Sequence, residues 1–194
     1  DAHLQYAGVL FEIAINGKLS WDTVRAELAN VQSLYPNAPR QVTSRAMAMT
    51  PEIYLFEQKF SALLTGASST LQFYSDVTVD ASLSNYLIGR AHFEMGNYTT
   101  ARSVWQNLLS TYQDSTSLDT NEWTLSGFSE LGSQDPMVSL NRSGALYGIA
   151  LCANATGDTI GFQSAIQQVL TRYPNYQEAQ SVHKYFNLST FTTN

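Results

Sequence analysis

Residues 82–115, SLSNYLIGRAHFEMGNYTTARSVWQNLLSTYQDS, hold two helical patterns separated by Gly96-Asn97. In the second pattern Ala101, Val104, Trp105, Leu108, Leu109 and Tyr112 stand at i, i+3, i+4, i+7, i+8 and i+11, the apolar stripe of an amphipathic helix. In the first, Gly89 and Ala91 fall where a neighbouring helix would cross. A small residue there lets two backbones approach, and an indole the size of Trp105 fills the space above it. The segment therefore predicts a hairpin of two helices, with an exit at Tyr112-Gln113-Asp114.

The pattern recurs on both sides. Downstream, Phe162, Ala165, Ile166, Val169, Leu170 and Tyr173 repeat the stripe, preceded by a turn at Gly157-Asp158 and followed by Tyr173-Pro174-Asn175. Before that turn Tyr147, Ile149, Ala150 and Cys152 run in frame with Tyr86, Ile88, Gly89 and Ala91. Upstream, Val24, Leu28, Val31 and Tyr35 keep the frame ahead of Tyr35-Pro36-Asn37, although Glu27 and Gln32 occupy positions that are apolar in the other two copies. Asn16-Gly17 supplies the turn there, and Ser20 the helix N-cap. Internal repetition of this kind decides the architecture before any other feature does.

A helix, short turn, helix and Pro- or Asp-marked exit in a 34-residue unit resembles the tetratricopeptide repeat. Residues 82–115 carry the resemblance best, through Tyr86, Ile88-Gly89, His92, Gly96-Asn97-Tyr98, Ala101, Trp105 and Leu108; residues 143–176 follow, and 4–37 form a degenerate hairpin. His92 stands where the family prefers a large aromatic, Gln113 where it prefers proline, and Phe162 where it prefers a small residue. Roughly half the chain is covered. The resemblance implies an all-α fold, a TPR-like α-α solenoid of about three helical hairpins with inserted segments, formed by residues 1–194 as one domain.

Two less regular stretches lie between the copies. In residues 38–81 a helix is expected over Pro51–Leu64, broken by Gly66-Ala67-Ser68-Ser69, with 70–81 either another helical turn or an extended piece. Residues 116–142, rich in Asp, Ser and Gly around Trp123, read as a long insertion between hairpins. The tail beyond Tyr185 is expected to fray.

Composition narrows the function. Charged residues are only 13% of the chain, against about 25% in ordinary soluble domains. Lysine is confined to Lys18, Lys59 and Lys184, so the surface is dressed with neutral polar groups, as in extracytoplasmic chains. A net charge of -6 leaves no basic stripe for nucleic acid and disfavours anionic membranes. No apolar run approaches the roughly 20 residues of a membrane span. The chain opens at Asp1 without an initiator Met, which leaves room for a removed leader or lipid anchor upstream. The single Cys152 excludes an intrachain disulfide, and its apolar neighbours place it in a core.

No catalytic, cofactor or metal site is expected. His3, His92 and His183 are far apart, and His92 and Glu94, two residues apart, do not share a helix face. Phosphate-binding and nucleophile-elbow motifs are missing, and nothing in sequence draws any two of Glu12, Glu52, Glu57, Glu94 and Glu122 together. The resemblance instead implies a concave groove lined by the first helix of each hairpin. Its contact positions would be Tyr86, Arg90, Phe93 and Glu94 in the middle copy and Tyr147, Leu151 and Asn154 in the last, with Trp123 a further contact in the insertion. The Tyr-Pro-Asn exits and neutral surface resemble bacterial envelope members of the family. The expected function is a protein-binding scaffold or adaptor of the cell envelope; the alternative is a glycan-binding surface lipoprotein module of the starch-utilisation type, reading sugar through Trp123.

Overall fold

Four turns of one kind set the order of the helices. At each, the amide of the third residue past the helix reaches back five residues to a carbonyl: Lys18 to Ile13 at 3.2 Å, Lys59 to Tyr54, Asn97 to His92 and Asp158 to Ala153, the last three at 2.8 Å. The amide before it reaches back three residues, from Gly17 to Ala14, Gln58 to Leu55, Gly96 to Phe93 and Gly157 to Asn154. This paired pattern ends a helix by turning one residue left-handed, and Gly17, Gln58, Gly96 and Gly157 have φ of 70°, 57°, 77° and 75°. Three are glycine, which adopts that conformation at no steric cost. Gln58 is the exception.

The computed structural model describes residues 2–35, 37–112 and 136–185, and these form nine helices and no strand. The helices are α1 (Ala2–Ile15), α2 (Trp21–Leu34), α3 (Arg40–Phe56), α4 (Phe60–Tyr74), α5 (Thr78–Glu94), α6 (Tyr98–Thr111), α7 (Pro136–Ala155), α8 (Thr159–Arg172) and α9 (Gln177–Tyr185). The four turns join α1 to α2, α3 to α4, α5 to α6 and α7 to α8. The chain divides into two compact units, Asp1–Leu87 and Ile88–Asn194, with the boundary inside α5.

In the first unit α1 packs on α2, α2 on α3 and α3 on α4. One core joins Leu4, Ala7, Leu10, Phe11 and Ala14 of α1 to Val24, Leu28 and Val31 of α2 and to Ala46, Met49 and Ile53 of α3. Trp21 stacks on Phe56 at 5.3 Å, with Phe11 edge-on to both. Glu27, the polar intruder in the α2 stripe, sits 2.5 Å from His3 Nδ1 of α1, so a charge-assisted hydrogen bond stands where the other copies place an apolar contact.

The same unit buries charge. Ser44 Oγ donates to Asp80 Oδ2 at 2.6 Å, and the Arg45 guanidinium lies 3.5 Å from Asp80 Oδ1 and 3.6 Å from Glu52 Oε1. One cation thus serves two carboxylates. Burial pushes the Glu52 carboxyl up from its ordinary range, Arg45 opposes the shift, and Asp80 adds to it.

In the second unit α6 packs on α7, α7 on α8, and α9 on both. Arg142 of α7 is buried and donates to the carbonyls of Leu109, at 2.7 Å, and Tyr112, and to the Tyr173 hydroxyl at 3.1 Å. A helix leaves its last carbonyls without intrahelical donors, and the guanidinium fills that need at the end of α6. The exit tyrosines of two hairpins are thereby tied to one side chain.

The all-α, TPR-like fold stands, and the expected stripes bury their central positions, Ala101, Trp105 and Leu108 in α6, Ala165, Ile166 and Val169 in α8, Val24, Leu28 and Val31 in α2, whereas Tyr35 at the end of the α2 stripe is 44% exposed. Ser20 caps α2 by accepting from the Asp22 amide at 3.2 Å. Residues 38–81 differ from expectation. Pro51 lies inside α3, Gly66–Ser69 lie inside α4, and the break falls at Glu57–Lys59, making a further hairpin where a less regular stretch with one helix was expected. The two supposed breakers explain each other: a Cβ built at Gly66 would stand 3.1 Å from the Pro51 ring, so the glycine makes room for the buried proline of the facing helix. Residues 70–81 are mainly helical, completing α4 and opening α5. Residues 136–142 belong to α7, not to an insertion. The rest of that stretch and the tail after Tyr185 lie outside the described residues.

Two outcomes follow. Gln58→Gly relieves the left-handed strain and raises stability by about 0.5–1 kcal/mol, read as a higher denaturant midpoint at unchanged slope. Glu52 has a raised folded-state pKa, so its contribution is fully present below the unfolded value near about 4.3 and is lost as pH rises through the folded one. Glu52→Gln should therefore match wild type in melting temperature near pH 4 and exceed it increasingly towards pH 8.

Candidate functional site

The expected contact residues other than Trp123 fall on two helices that one side chain touches. Trp105, 1% exposed, projects from α6 between Gly89 of α5 and Gly148 of α7. A Cβ built at Gly89 would overlap Nε1 and Cδ1 of the indole, and one at Gly148 would overlap Cη2 and Cζ3. The five-membered ring therefore lies against one helix and the six-membered ring against the other. Phe93 extends the cluster, with its ring centroid 6.2 Å from Trp105 and 5.4 Å from Tyr98.

This clasp brings the candidate residues of the second unit onto neighbouring helices. Arg90, Phe93 and Glu94 fall on α5 at i, i+3 and i+4; Tyr147, Leu151 and Asn154 fall on α7 at i, i+4 and i+7. Arg90, Phe93, Tyr147 and Leu151 are partly exposed, and Glu94 and Asn154 are exposed. Tyr86 lies one turn before Arg90 on the same helix and is partly exposed too. Arg90 is committed to its own helix: the guanidinium meets Glu94 at 2.5 Å, an i,i+4 pair. Its charge is thus offset within the strip, and the face it presents is close to neutral. Trp123 lies outside the described residues.

Fastening comes from the turn as well. Asp158 accepts from the Gly161 amide at 2.8 Å, capping α8, and pairs with Arg102 of α6 at 2.8 Å. The Gly161 amide, then Arg102, holds the Asp158 carboxyl below the usual carboxylate range. Cys152 is buried as expected, and burial pushes its thiol up to about 11.

Gly148 was not singled out in the sequence, although Gly144, Gly148 and Cys152 form a small-residue row at i, i+4 and i+8 that points to a close approach. The buried cluster of Arg45, Glu52 and Asp80 was also missed, since nothing local links α3 to α5. A surface cavity of about 460 Å³ lies elsewhere, in the first unit, lined by Gln32, Ala38, Arg40, Thr43, Met47 and Tyr74. None of the expected contact residues lines it. Arg40 there is occupied by Asp76 at 2.7 Å and the Phe73 carbonyl, and stacks on Tyr74. Among the described residues no three His, Cys, Asp or Glu side chains group to hold a metal, and no helix is long and apolar enough to cross a membrane.

Residues 84–115, the end of α5 with α6 and its exit, match the family model of the tetratricopeptide repeat. With its packed helical hairpins, the chain is a TPR-like helical repeat protein. Neither the curated proteins nor the solved structures gave a match. The repeat is a module of protein–protein interaction and typically a non-enzymatic scaffold.

The clasp gives a coupled prediction. Trp105→Ala costs about 3–5 kcal/mol. Gly148→Ala costs about 1–3 kcal/mol by overpacking against the indole, and most of that penalty vanishes in a Trp105→Leu background, because the two positions share one contact. Equal Gly148→Ala penalties in both backgrounds, from urea titration, would show that the glycine serves some other neighbour.

Proposed function

We propose that the chain is a scaffold of the bacterial cell envelope that binds a polypeptide partner along the strip formed by Arg90, Phe93 and Glu94 of α5 and Tyr147, Leu151 and Asn154 of α7, and that it works by binding and not by catalysis. The observation that carries this reading is the clasp of Trp105, which lies against both α5 and α7 and so positions the two rows, the α5 row falling inside the segment where the repeat is matched. The chemistry of the strip suits a polypeptide. Two aromatic rings and a leucine offer apolar area at low entropic cost, Asn154 offers amide hydrogen bonds, and the internally neutral Arg90–Glu94 pair can exchange partners with a peptide charge. Scarcity of lysine and a surface of Ser, Thr, Asn and Gln support the extracytoplasmic location.

The test is affinity capture from envelope extract with folded wild-type protein and three variants. Arg90→Glu and Leu151→Glu should lose a partner that wild type retains, whereas Ile160→Glu, at an 83% exposed position on α8, should keep it. Retention by all three variants would move the binding surface away from α5 and α7.

A further inference from the structure

Gln32 interrupts the α2 stripe at the position that α6 gives to Leu109 and α8 to Leu170. The other polar intruder, Glu27, is answered by His3, but among the described residues the Gln32 side chain has no hydrogen-bond partner. It lines the cavity of about 460 Å³ at the junction of α2, α3 and α4, with Arg40, Thr43 and Met47 on one face of α3 and Tyr74 at the end of α4.

The second unit shows what such a junction holds. Hairpin α7–α8 repeats α3–α4 at a constant offset: left-handed Gln58 falls on Gly157, and Ser44, bound to Asp80, falls on Ser143, bound to Glu178. In that register Tyr74 falls on Tyr173 and Thr43 on Arg142, while the α2 stripe sets Gln32 on Leu109. Arg142, Leu109 and Tyr173 form one hydrogen-bonded group, in which the guanidinium donates to the Leu109 carbonyl at 2.7 Å and to the Tyr173 hydroxyl at 3.1 Å. The first unit keeps the tyrosine and the helix end of that group and puts a short hydroxyl where the arginine is rooted. The cavity lies among those residues.

Its walls are rich in acceptors. Gln32 is in the last turn of α2, where carbonyls have no intrahelical donor, and Pro36, four residues on, has no amide hydrogen to offer. Thr43 Oγ1 donates to the Arg40 carbonyl at 3.0 Å and keeps its lone pairs. The charge of Arg40 is already matched: Nε and Nη2 donate to the two oxygens of Asp76 at 2.8 and 2.7 Å, and the guanidinium lies 4.7 Å from the Tyr74 ring centroid. Acceptors at a helix C-terminus, beside an ion pair without net charge, favour a cation with several N–H donors. Met47 and Tyr74 add apolar wall, which suits a planar, weakly hydrated guanidinium better than a compact ammonium. The volume falls within the roughly 300–1,000 Å³ of small-ligand sites, so such a group enters with its methylene stem.

We propose that this cavity receives the guanidinium of an arginine side chain presented by another polypeptide, in the role that Arg142 fills internally in the second unit. The site is separate from the strip of α5 and α7 and does not depend on it.

Titration of the isotope-labelled 194-residue chain with Nα-acetyl-argininamide, followed through backbone amide NMR shifts, tests this. Shifts at Gln32, Ala38, Thr43 and Tyr74 should saturate with a dissociation constant on the order of 1–10 mM, and Nα-acetyl-lysinamide should bind at least about tenfold more weakly. Thr43→Arg supplies the guanidinium from within, so it should abolish the shifts and raise the melting temperature. Gln32→Leu, an exposed change that keeps the fold, should weaken binding at least about fivefold. Leu151→Glu should leave it unchanged. No saturable shift, equal binding of the lysine probe, shifts lying elsewhere, or full binding by folded Thr43→Arg or Gln32→Leu protein would each overturn the site. Tighter binding of free L-arginine than of the capped probe would overturn presentation by a polypeptide.

Discussion

The contact between Trp105 and two glycines governs the second unit. An indole is the largest side chain available to a helix interface, and its burial is favourable only where the facing backbones leave a slot of matching width. Gly89 and Gly148 create that slot by having no Cβ, and the slot exists only while both helices stand where they do. The side chain that makes the core is thus also the gauge that sets α5 and α7 around it. The rows of partly exposed residues on those helices owe their positions to a group that no partner would touch.

Local chemistry and tertiary packing divided the legible from the illegible. Three hairpins could be read because each announces its turn with glycine at the one residue that must go left-handed, and the second helices α6 and α8 carry uninterrupted stripes that α2 follows in part. The hairpin of α3 and α4 could not. Its turn places Gln58 where the others place glycine, so the strongest local mark is missing, while Pro51 and Gly66 supply false marks inside the helices. Both exceptions are satisfied by contacts far apart in sequence, which is why propensity alone misplaced the boundary by half a helix. The site shows the same division. The places of Tyr147, Leu151 and Asn154 on the first helix of the last hairpin were legible from the repeat frame, whereas the Arg90–Glu94 pair, although at i,i+4 spacing, went unread; Gly148 and the Arg142 tie depend on which helix lies opposite.

Charge is used sparingly and mostly in pairs. Of a small stock of arginines, Arg45 is placed between the Asp80 and Glu52 carboxylates, Arg142 on the α6 carbonyls, Arg102 on Asp158 and Arg90 on Glu94. Buried ionic groups are costly to desolvate and add little net stability, but a wrong helix pairing would leave them unmatched at several kcal/mol each. In a chain of similar hairpins, where apolar stripes are nearly interchangeable, that penalty discriminates one neighbour from another. Ser44 with Asp80 and Ser143 with Glu178 show the same device twice, a serine on one first helix bound to an acid on the next, 36 and 35 residues on.

Pairing a small stock of charges leaves an outer surface dominated by amides, hydroxyls and scattered aromatics, and this constrains the recognition available to it. Long-range steering is weak for such a surface, so a partner is selected by short-range fit, and affinity resides in slow dissociation more than in fast encounter. The strip proposed on α5 and α7 meets that constraint by mixing rings, an amide and a compensated ion pair, which suits a chain whose side chains vary.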